Sequence, residues 1–314
     1  MGTNYIAPLH EEVERRGVLY RNRYGLDISA DLYIRKDVDR NGRHPALIVG
    51  APYGGVKEQG PCVYGSELAR RGFIVLTFDQ SFMGQSGGWP RNLSSPDIYV
   101  ENFSAAVDYL GLQPFVDREK IGVIGICGSG GFALSAAQCD TRIKAVATAS
   151  MYDMSAAVRL GMDEAAIQAH KDRIARQRWV DAEEGEQQYN PYFPEEPLES
   201  VPAQLEEPTA EWFRFYALKR GFHPRSRGGF TTTSDLAMMN FPLLDYIHEI
   251  SPRPILFVVG DRAHSKFFSE NAYAAAREPK ELYTVADAEH IDLYDRIDRI
   301  PFEKLEAFFR DNLK

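Results

Sequence analysis

A cysteine at the end of a buried strand is the strongest candidate for chemistry in this sequence. The apolar run Ile121–Ile126 predicts a short strand that is buried on both faces, and Cys127 follows it directly. Small residues flank the cysteine, and a helix-like segment begins at Phe132. A strand that breaks at a reactive residue between small neighbours is typical of a nucleophile elbow, which lifts the nucleophile above the sheet at a helix N-terminus. The pattern therefore predicts nucleophilic chemistry at the Cys127 sulfur.

The register of this elbow leaves an alternative open. Read from the strand side, Gly125–Ser129 matches the pattern glycine-x-nucleophile-x-glycine, except that Ser129 stands where the second glycine is expected. Read from the helix side, Ser129 becomes the nucleophile and Cys127 its small neighbour. We favour Cys127 because the strand ends at Ile126 and the nucleophile should follow it at once. A buried structural thiol is a further alternative, since free cysteines are often buried as small hydrophobic residues.

Two downstream residues stand where a catalytic triad needs them. Asp261 follows a strand predicted at 254–260, and His290 follows one predicted at 281–285. The carboxyl ends of parallel strands meet at one edge of a sheet, so both side chains are expected near Cys127. We expect His290 to take the thiol proton and Asp261 to fix the imidazole tautomer. The result would be a thiolate–imidazolium pair whose thiol pKa lies below the ordinary value of about 8.5.

Strands and helices alternate along most of the chain. This alternation predicts an α/β fold with a mostly parallel sheet covered by helices on both faces. Residues 11–36 add an N-terminal antiparallel hairpin whose strands are joined at Gly25. The chain order nucleophile, acid, histidine is that of the α/β-hydrolase fold.

One long segment, residues 151–250, interrupts this alternation. It contains predicted helices at Ser155–Trp179 and Glu211–Lys219 and no sheet-like strand. We therefore expect a hydrolase core at 1–150 and 251–314, and a mainly helical cap over the active site at 151–250. A separate domain or a dimerisation arm is the alternative for this segment.

The composition narrows the possible partners. The net charge of −9 leaves no basic field for nucleic acid, and no apolar run reaches the roughly 20 residues that span a bilayer. The N-terminus does not resemble a signal peptide, and Cys62, Cys127 and Cys139 lack metal-like spacing. We expect a cytoplasmic protein that acts on a small-molecule acyl substrate, without nucleic-acid or membrane partners. The sequence leaves open whether it forms an oligomer. Neither a metal nor an organic cofactor is implied, and phosphate-loop and dinucleotide fingerprints are absent at the first strand–helix turn.

Several motifs together resemble those of a known family. The chain is similar to α/β-hydrolases of the dienelactone hydrolase-like group, and more so to bacterial hydrolases and fungal polyketide transferases or thiohydrolases with a helical insertion. The matching segments are 52–58, 78–88, 116–127 and 258–261, together with His290. The resemblance implies a Cys-Asp-His triad at the residues already named. The main departures are Ser129 after the elbow and the lack of a His-Gly pair in the first loop.

The first loop should supply part of an oxyanion hole. By its position beside two glycines, Tyr53 is expected to offer one backbone N–H, and Gly128, which follows the nucleophile, to offer the other. The resemblance also raises a possible accessory role for Glu58, because a carboxylate from this loop can hold the resting thiol in dienelactone hydrolases. An exposed loop charge is the interpretation we favour for Glu58.

These features predict a hydrolase that acts on an ester, thioester or lactone through an acyl-cysteine, with water or another alcohol as the acceptor. The alternatives are a serine-type esterase or peptidase using Ser129, an acyltransferase, or an inactive fold that binds a small ligand. Aromatic residues in the insertion suggest an apolar acyl pocket, although most of them could form the core of the cap itself.

Overall fold

The computed structural model describes residues 4–314, in which eight strands form one twisted sheet. The strands are β1 (Val13–Arg21), β2 (Asp27–Arg35), β3 (His44–Gly50), β4 (Ile74–Phe78), β5 (Val116–Ile126), β6 (Ala145–Ala149), β7 (Ile255–Gly260) and β8 (Lys280–Val285). Their spatial order is β1-β2-β4-β3-β5-β6-β7-β8. The pair β1–β2 is the predicted antiparallel hairpin, β2 also runs antiparallel to β4, and the pairs from β4 to β8 are parallel. The predicted mostly parallel sheet with an antiparallel edge is confirmed.

Strand order reverses between β3 and β5. From β3 the chain crosses to β4 on one side and then returns to place β5 on the other side. In open parallel sheets such a switch point leaves a crevice at the carboxyl ends of the two strands. The loop 51–59 leaves β3 at this point, and Cys127 leaves β5 beside it.

Helices cover both faces of the sheet, as predicted. They are α1 (Gly60–Arg70), α2 (Pro96–Gly111), α3 (Gly128–Cys139), α4 (Met154–Ala157), α5 (Glu164–Glu184), α6 (Thr209–Tyr216), α7 (Ser234–Met239), α8 (Lys266–Ala275), α9 (Asp292–Asp295) and α10 (Phe302–Asn312). Apolar side chains of α2, α3 and α8 form the core on one face, and those of α1 and α10 form it on the other. The residues of β3–β7 that lie between these layers are almost all buried, which explains their continuous apolar runs.

The insertion, residues 151–250, lies between β6 and β7 in the sequence. It holds α4 to α7 and a 3₁₀ helix at Ile247–Ile250, and it adds no strand to the sheet. The single helix predicted at Ser155–Trp179 is wrong, because the chain breaks between α4 and α5, where Gly161 takes a φ of +76°. Within residues 4–314, no helix is both long and apolar enough to cross a membrane.

Candidate active site

Cys127 forms the sharp turn between β5 and α3. Its backbone has φ +53° and ψ −123°, a conformation that side-chain-bearing residues rarely adopt. Such strain typically costs about 1–3 kcal/mol and persists only where surrounding contacts enforce it. Here the Cys127 N–H donates to the carbonyl of Ala149, at 2.9 Å, and the Cys127 carbonyl accepts from the N–H of Tyr152, also at 2.9 Å. The adjacent strand β6 and the residues after it thus hold the nucleophile elbow in place.

The elbow requires small residues because neighbouring parts of the chain approach it closely. A Cβ on Gly125 would lie 2.2 Å from the carbonyl oxygen of Ser129, and one on Gly128 would lie 2.7 Å from the Cβ of Tyr53. Ser129 itself is buried inside the first turn of α3, with its Oγ packed against Gly50 of β3. It does not line the cavity described next, which disfavours the alternative register with Ser129 as the nucleophile.

Cys127 opens onto a cavity of about 400 Å³ at the switch point. The sulfur-bearing residue is 8% exposed, and the lining carries no charged side chain. Core and insertion both contribute to the lining, which consists of Tyr53, Gly54, Cys127, Tyr152, Met154, Ala157, Val158, Leu160, Phe193, Pro208, Trp212, Tyr216, Gly228, Phe230 and Tyr294. An apolar cavity of this size is typical of a small-molecule site. The apolar pocket expected from the aromatic insertion is therefore present beside Cys127.

Two backbone donors converge on the Cys127 sulfur. The N–H groups of Tyr53, from the loop after β3, and of Gly128, the first residue of α3, both point at it and lower the pKa of the thiol. Burial is the larger effect and raises the pKa of Cys127 above its ordinary value. The structure thus brings together the three residues predicted for the nucleophile and the oxyanion hole.

His290 lies fully buried after β8, with both ring nitrogens hydrogen-bonded to hydroxyl groups. Its Nδ1 lies 2.6 Å from the Oγ of Ser265, and its Nε2 lies 2.8 Å from the Oη of Tyr294. Burial, with a smaller contribution from His264, holds the pKa of His290 well below its ordinary value. The imidazole is therefore neutral in the resting site.

The Tyr294 hydroxyl stands between the histidine and the cysteine. It contacts Nε2 of His290, and hydrogen bonding by the same hydroxyl lowers the pKa of Cys127. Sequence reasoning missed this tyrosine, although its place four residues after His290 could have suggested a shared surface on a helical turn. Ser265 was also missed, because it lies in a loop with no motif that distinguishes it.

Asp261 does not reach His290, which corrects the predicted contact. Its backbone N–H donates to Val285, and its side chain is exposed at the end of β7. Within residues 4–314, no side-chain hydrogen bond includes the Asp261 carboxylate, and Ser265 occupies Nδ1 of His290 instead. The loop after β7 reaches His290 only at Ser265, four residues beyond Asp261. This contact depends on the tertiary fold, so the sequence did not indicate it.

The chain is similar to several known proteins. Residues 98–197, which include the elbow, match the family described as BAAT / acyl-CoA thioester hydrolase C terminal. The uncharacterized protein PA2218 of Pseudomonas aeruginosa is 49% identical over 98% of this chain and 83% of its own length. Its crystal structure matches with a TM-score of 0.93 at 47% identity, covering 99% of this chain and 98% of that one.

Two further relatives are more distant. The uncharacterized protein YcjY of Escherichia coli K12 is 32% identical over 86% of this chain and 89% of its own length. The polyketide transferase GrgF of a Penicillium species is 27% identical over 80% of this chain and 82% of its own length. The crystal structure of GrgF, an α/β hydrolase, has a TM-score of 0.78 at 23% identity and covers 96% of this chain and 99% of that one. The chain belongs to the α/β-hydrolase superfamily. The predicted family is thus confirmed, and the protein is an enzyme of the hydrolase class.

The resting charges of this α/β-hydrolase differ from those predicted. The sequence predicted a thiolate–imidazolium pair, but burial raises the pKa of Cys127 and lowers that of His290. Both shifts favour the neutral thiol and the neutral imidazole, because burial disfavours whichever form carries charge. The pair is therefore neutral before substrate binds.

Glu58 of this α/β-hydrolase is completely buried, so the predicted exposed loop charge is wrong. Its Oε1 accepts from Nζ of Lys57 at 2.7 Å and from a guanidinium nitrogen of Arg225 at 2.8 Å. Lys57 also contacts Asp79 and Gln85. The carboxylate is held within an ion-pair cluster that joins the loop after β3 to the insertion, and the cations keep its pKa below the ordinary value.

Proposed function

We propose that this enzyme is an acyl hydrolase that forms an acyl-cysteine on Cys127 from an ester, thioester or lactone. The observation that carries the proposal is the sulfur itself, which lies at a strained elbow between the N–H groups of Tyr53 and Gly128 and opens onto an apolar cavity. A nucleophile, two oxyanion donors and an acyl-sized volume at one point are the parts that acyl transfer needs. The match to an acyl-CoA thioester hydrolase family and to a polyketide transferase supports the same chemistry.

The two backbone donors act on the tetrahedral intermediate. When the sulfur attacks the substrate carbonyl carbon, a C–S bond forms and the π electron pair moves to the carbonyl oxygen. The Tyr53 and Gly128 N–H groups then bind that oxyanion without reorganisation, because the elbow and the loop after β3 are already packed together. Removal of one such donor typically costs about 3 kcal/mol of transition-state stabilisation.

The thiol proton leaves through Tyr294. As the sulfur attacks, its proton passes to the Tyr294 Oη while the hydroxyl proton of Tyr294 passes to Nε2 of His290, which lies 2.8 Å away. The proton of the His290 imidazolium then returns through Tyr294, which lines the cavity, to the leaving oxygen or sulfur as its bond to the acyl carbon breaks. Ser265 at Nδ1 orients the ring for both transfers.

The lining of the cavity favours a neutral, apolar acyl group. No charged side chain lines it, so a carboxylate or an ammonium group on the acyl chain would be buried without a partner. Residues 151–250 serve as a cap, because residues such as Trp212 and Phe193 complete the wall of the cavity. The proposal places the enzyme in the cytoplasm, where a catalytic thiol stays reduced.

Intact-mass spectrometry with a panel of p-nitrophenyl esters, acyl-thioesters and lactones tests the proposal. We expect an acyl adduct that maps to Cys127 and at least a thousandfold loss of turnover in Cys127→Ala. Ser129→Ala is the matched control and should still form the adduct, because Ser129 lies outside the cavity. Wild-type turnover by Cys127→Ala, or an adduct on another residue, would overturn the assignment.

A further inference from the structure

A second histidine lies beside the catalytic one and has its own carboxylate. His264 immediately precedes Ser265, and its ring centre lies 4.8 Å from that of His290. Its Nδ1 is 2.9 Å from Oε2 of Glu211, and its Nε2 is 2.8 Å from the hydroxyl of Tyr152. The mechanism above uses none of these three side chains.

The partners of His264 define which nitrogen carries the proton. A carboxylate only accepts hydrogen bonds, so the Nδ1–H of His264 donates to Glu211. Nε2 is then the acceptor, and the hydroxyl of Tyr152 donates to it. This is the order of groups in a catalytic carboxylate–histidine pair, with a tyrosine hydroxyl in the place of the nucleophile.

Glu211 comes from α6 of the insertion and is buried. Its second oxygen, Oε1, accepts from the backbone N–H of Ile291 at 2.8 Å. The insertion thereby reaches the residue that follows His290 as well as His264. A buried carboxylate with two donors is fixed in position and can stabilise an imidazolium form of His264.

Tyr152 connects this pair to the substrate cavity. Its side chain lines the cavity that holds Cys127, and its backbone N–H donates to the Cys127 carbonyl at 2.9 Å. The hydroxyl donates its proton to His264, so its lone pairs can accept a proton from a molecule in the cavity. Burial raises the pKa of the phenol, so Tyr152 relays a proton and does not act as a free phenolate base.

We propose that Tyr152, His264 and Glu211 form a second proton relay that serves the acceptor half of the reaction. This inference rests on the proposed acyl-cysteine intermediate. The acceptor, water or a small alcohol, attacks the thioester carbonyl while its proton moves to the Tyr152 Oη and the tyrosine proton moves to Nε2 of His264. The new C–O bond forms, the C–S bond then breaks with its electron pair on sulfur, and the proton of His264 returns through Tyr152 to that sulfur.

The short distance between His264 and His290 determines the order in which the two histidines take up a proton. Two imidazolium rings with centres 4.8 Å apart repel each other, and His264 already lowers the pKa of His290. His290 must therefore pass its proton to the leaving group before His264 takes one from the acceptor. Two relays, one for each half of the reaction, meet this requirement.

Separate measurement of acylation and deacylation tests the relay. A p-nitrophenyl ester gives the acylation rate from the initial burst of p-nitrophenolate, and intact mass gives the decay of the acyl-enzyme. We expect Tyr152→Phe and His264→Gln to slow decay of the acyl-enzyme by at least about tenfold more than they slow the burst, as loss of general base catalysis predicts. Acyl-enzyme should accumulate in both variants.

Control variants distinguish this role from a structural one. Glu206→Gln removes an exposed carboxylate just before α6 and should leave both phases as in the wild type. Glu211→Gln should slow both phases, because Glu211 also holds Ile291 beside His290. Equal slowing of both phases in Tyr152→Phe, or no slowing, would overturn the relay. Failure of the wild type to form any acyl-cysteine would instead overturn the proposed function.

Discussion

At the scale of single residues, His290 is held by two hydroxyl groups. Ser265 binds Nδ1 at 2.6 Å and Tyr294 binds Nε2 at 2.8 Å. A serine can orient an imidazole, but it lacks the negative charge with which an aspartate stabilises an imidazolium. The arrangement suits a histidine that is neutral at rest and carries a proton only briefly.

Substitutions at Ser265 and at Asp261 therefore test which of the two residues orients His290. Ser265→Ala should lower kcat by about 10–100-fold with little change in KM, because the ring loses its orienting partner. Asp261→Asn should change kcat less than about twofold, because its side chain is exposed and has no contact with His290. Steady-state kinetics on the best ester of the panel measures both. A loss in Asp261→Asn as large as that in Ser265→Ala would restore the sequence-derived triad.

The neutral resting thiol predicts a specific pH dependence of alkylation. In a Cys139→Ala background, which removes the exposed thiol, the rate of Cys127 modification by iodoacetamide should rise with pH and have its midpoint above the ordinary thiol pKa of about 8.5. The sign follows from burial, which disfavours the thiolate and raises the pKa of Cys127. Tyr294→Phe removes the hydroxyl group whose hydrogen bonding lowers the pKa of Cys127, so it should move the midpoint higher still. Fast alkylation at pH 6 would instead indicate the ion pair predicted from the sequence.

At the scale of elements, the insertion packs against the loop after β3, which carries the Tyr53 N–H donor, and hydrogen-bonds to it. The Ser226 hydroxyl donates to the carbonyl of Gly54 at 2.7 Å, and the rings of Tyr53 and Phe230 stack with centres 4.1 Å apart. The Arg225–Glu58 ion pair adds a charged contact between the same two segments. The insertion thus helps to position one wall of the active site as well as to cover it.

His223 makes this contact sensitive to acid. It is buried, its Nδ1 accepts from the N–H of Arg225 at 3.2 Å, and burial lowers its pKa from 6.5 to about 4. Between these two values the unfolded chain binds a proton that the folded protein does not, so stability falls as pH falls from 6.5 toward 4. The loss from this group is at most about 3 kcal/mol. Urea unfolding at pH 7.5, 6 and 5 should show a shallower pH dependence in His223→Asn, whose amide oxygen can accept the same hydrogen bond.

The matched control is His248→Asn at a partly exposed histidine, which should keep the wild-type pH dependence. Burial raises the pKa of Asp79 to about 6, so its contribution has the opposite sign and is lost as pH rises from 3.8 toward 6. That contribution is common to both variants and cancels in the comparison. Identical slopes in the wild type and His223→Asn would show that His223 does not titrate differently in the folded protein.

At the scale of the whole molecule, the site is assembled from six distant segments. The loop after β3, the elbow after β5, the segment after β6, helix α6 of the insertion, the loop after β7 and the segment after β8 each contribute one or two groups. All of the core segments leave the carboxyl ends of parallel strands, on either side of the switch point between β3 and β5. The net charge of −9 still predicts no nucleic-acid partner.

The sequence by itself determined the parts of this protein that depend on local patterns. Buried strands appear as apolar runs, the hairpin has its turn glycine, and the elbow needs small residues around Cys127, so the fold, the nucleophile candidate and the position of His290 could all be predicted. Each of these signals lies within about ten consecutive residues. The position of Tyr53 as a donor followed from the same logic, because the loop after β3 always faces the elbow in this fold.

The tertiary structure alone decided which groups meet and which are buried. Ser265 in place of Asp261 at His290, Tyr294 between His290 and Cys127, and the burial of Glu58 all depend on how loops return to the sheet. The charge state of the site depends on burial as well, because desolvation raises the pKa of the thiol and lowers that of the imidazole. Contacts between residues far apart in the chain and their exclusion from water leave no local pattern, and for this reason the sequence did not reveal them.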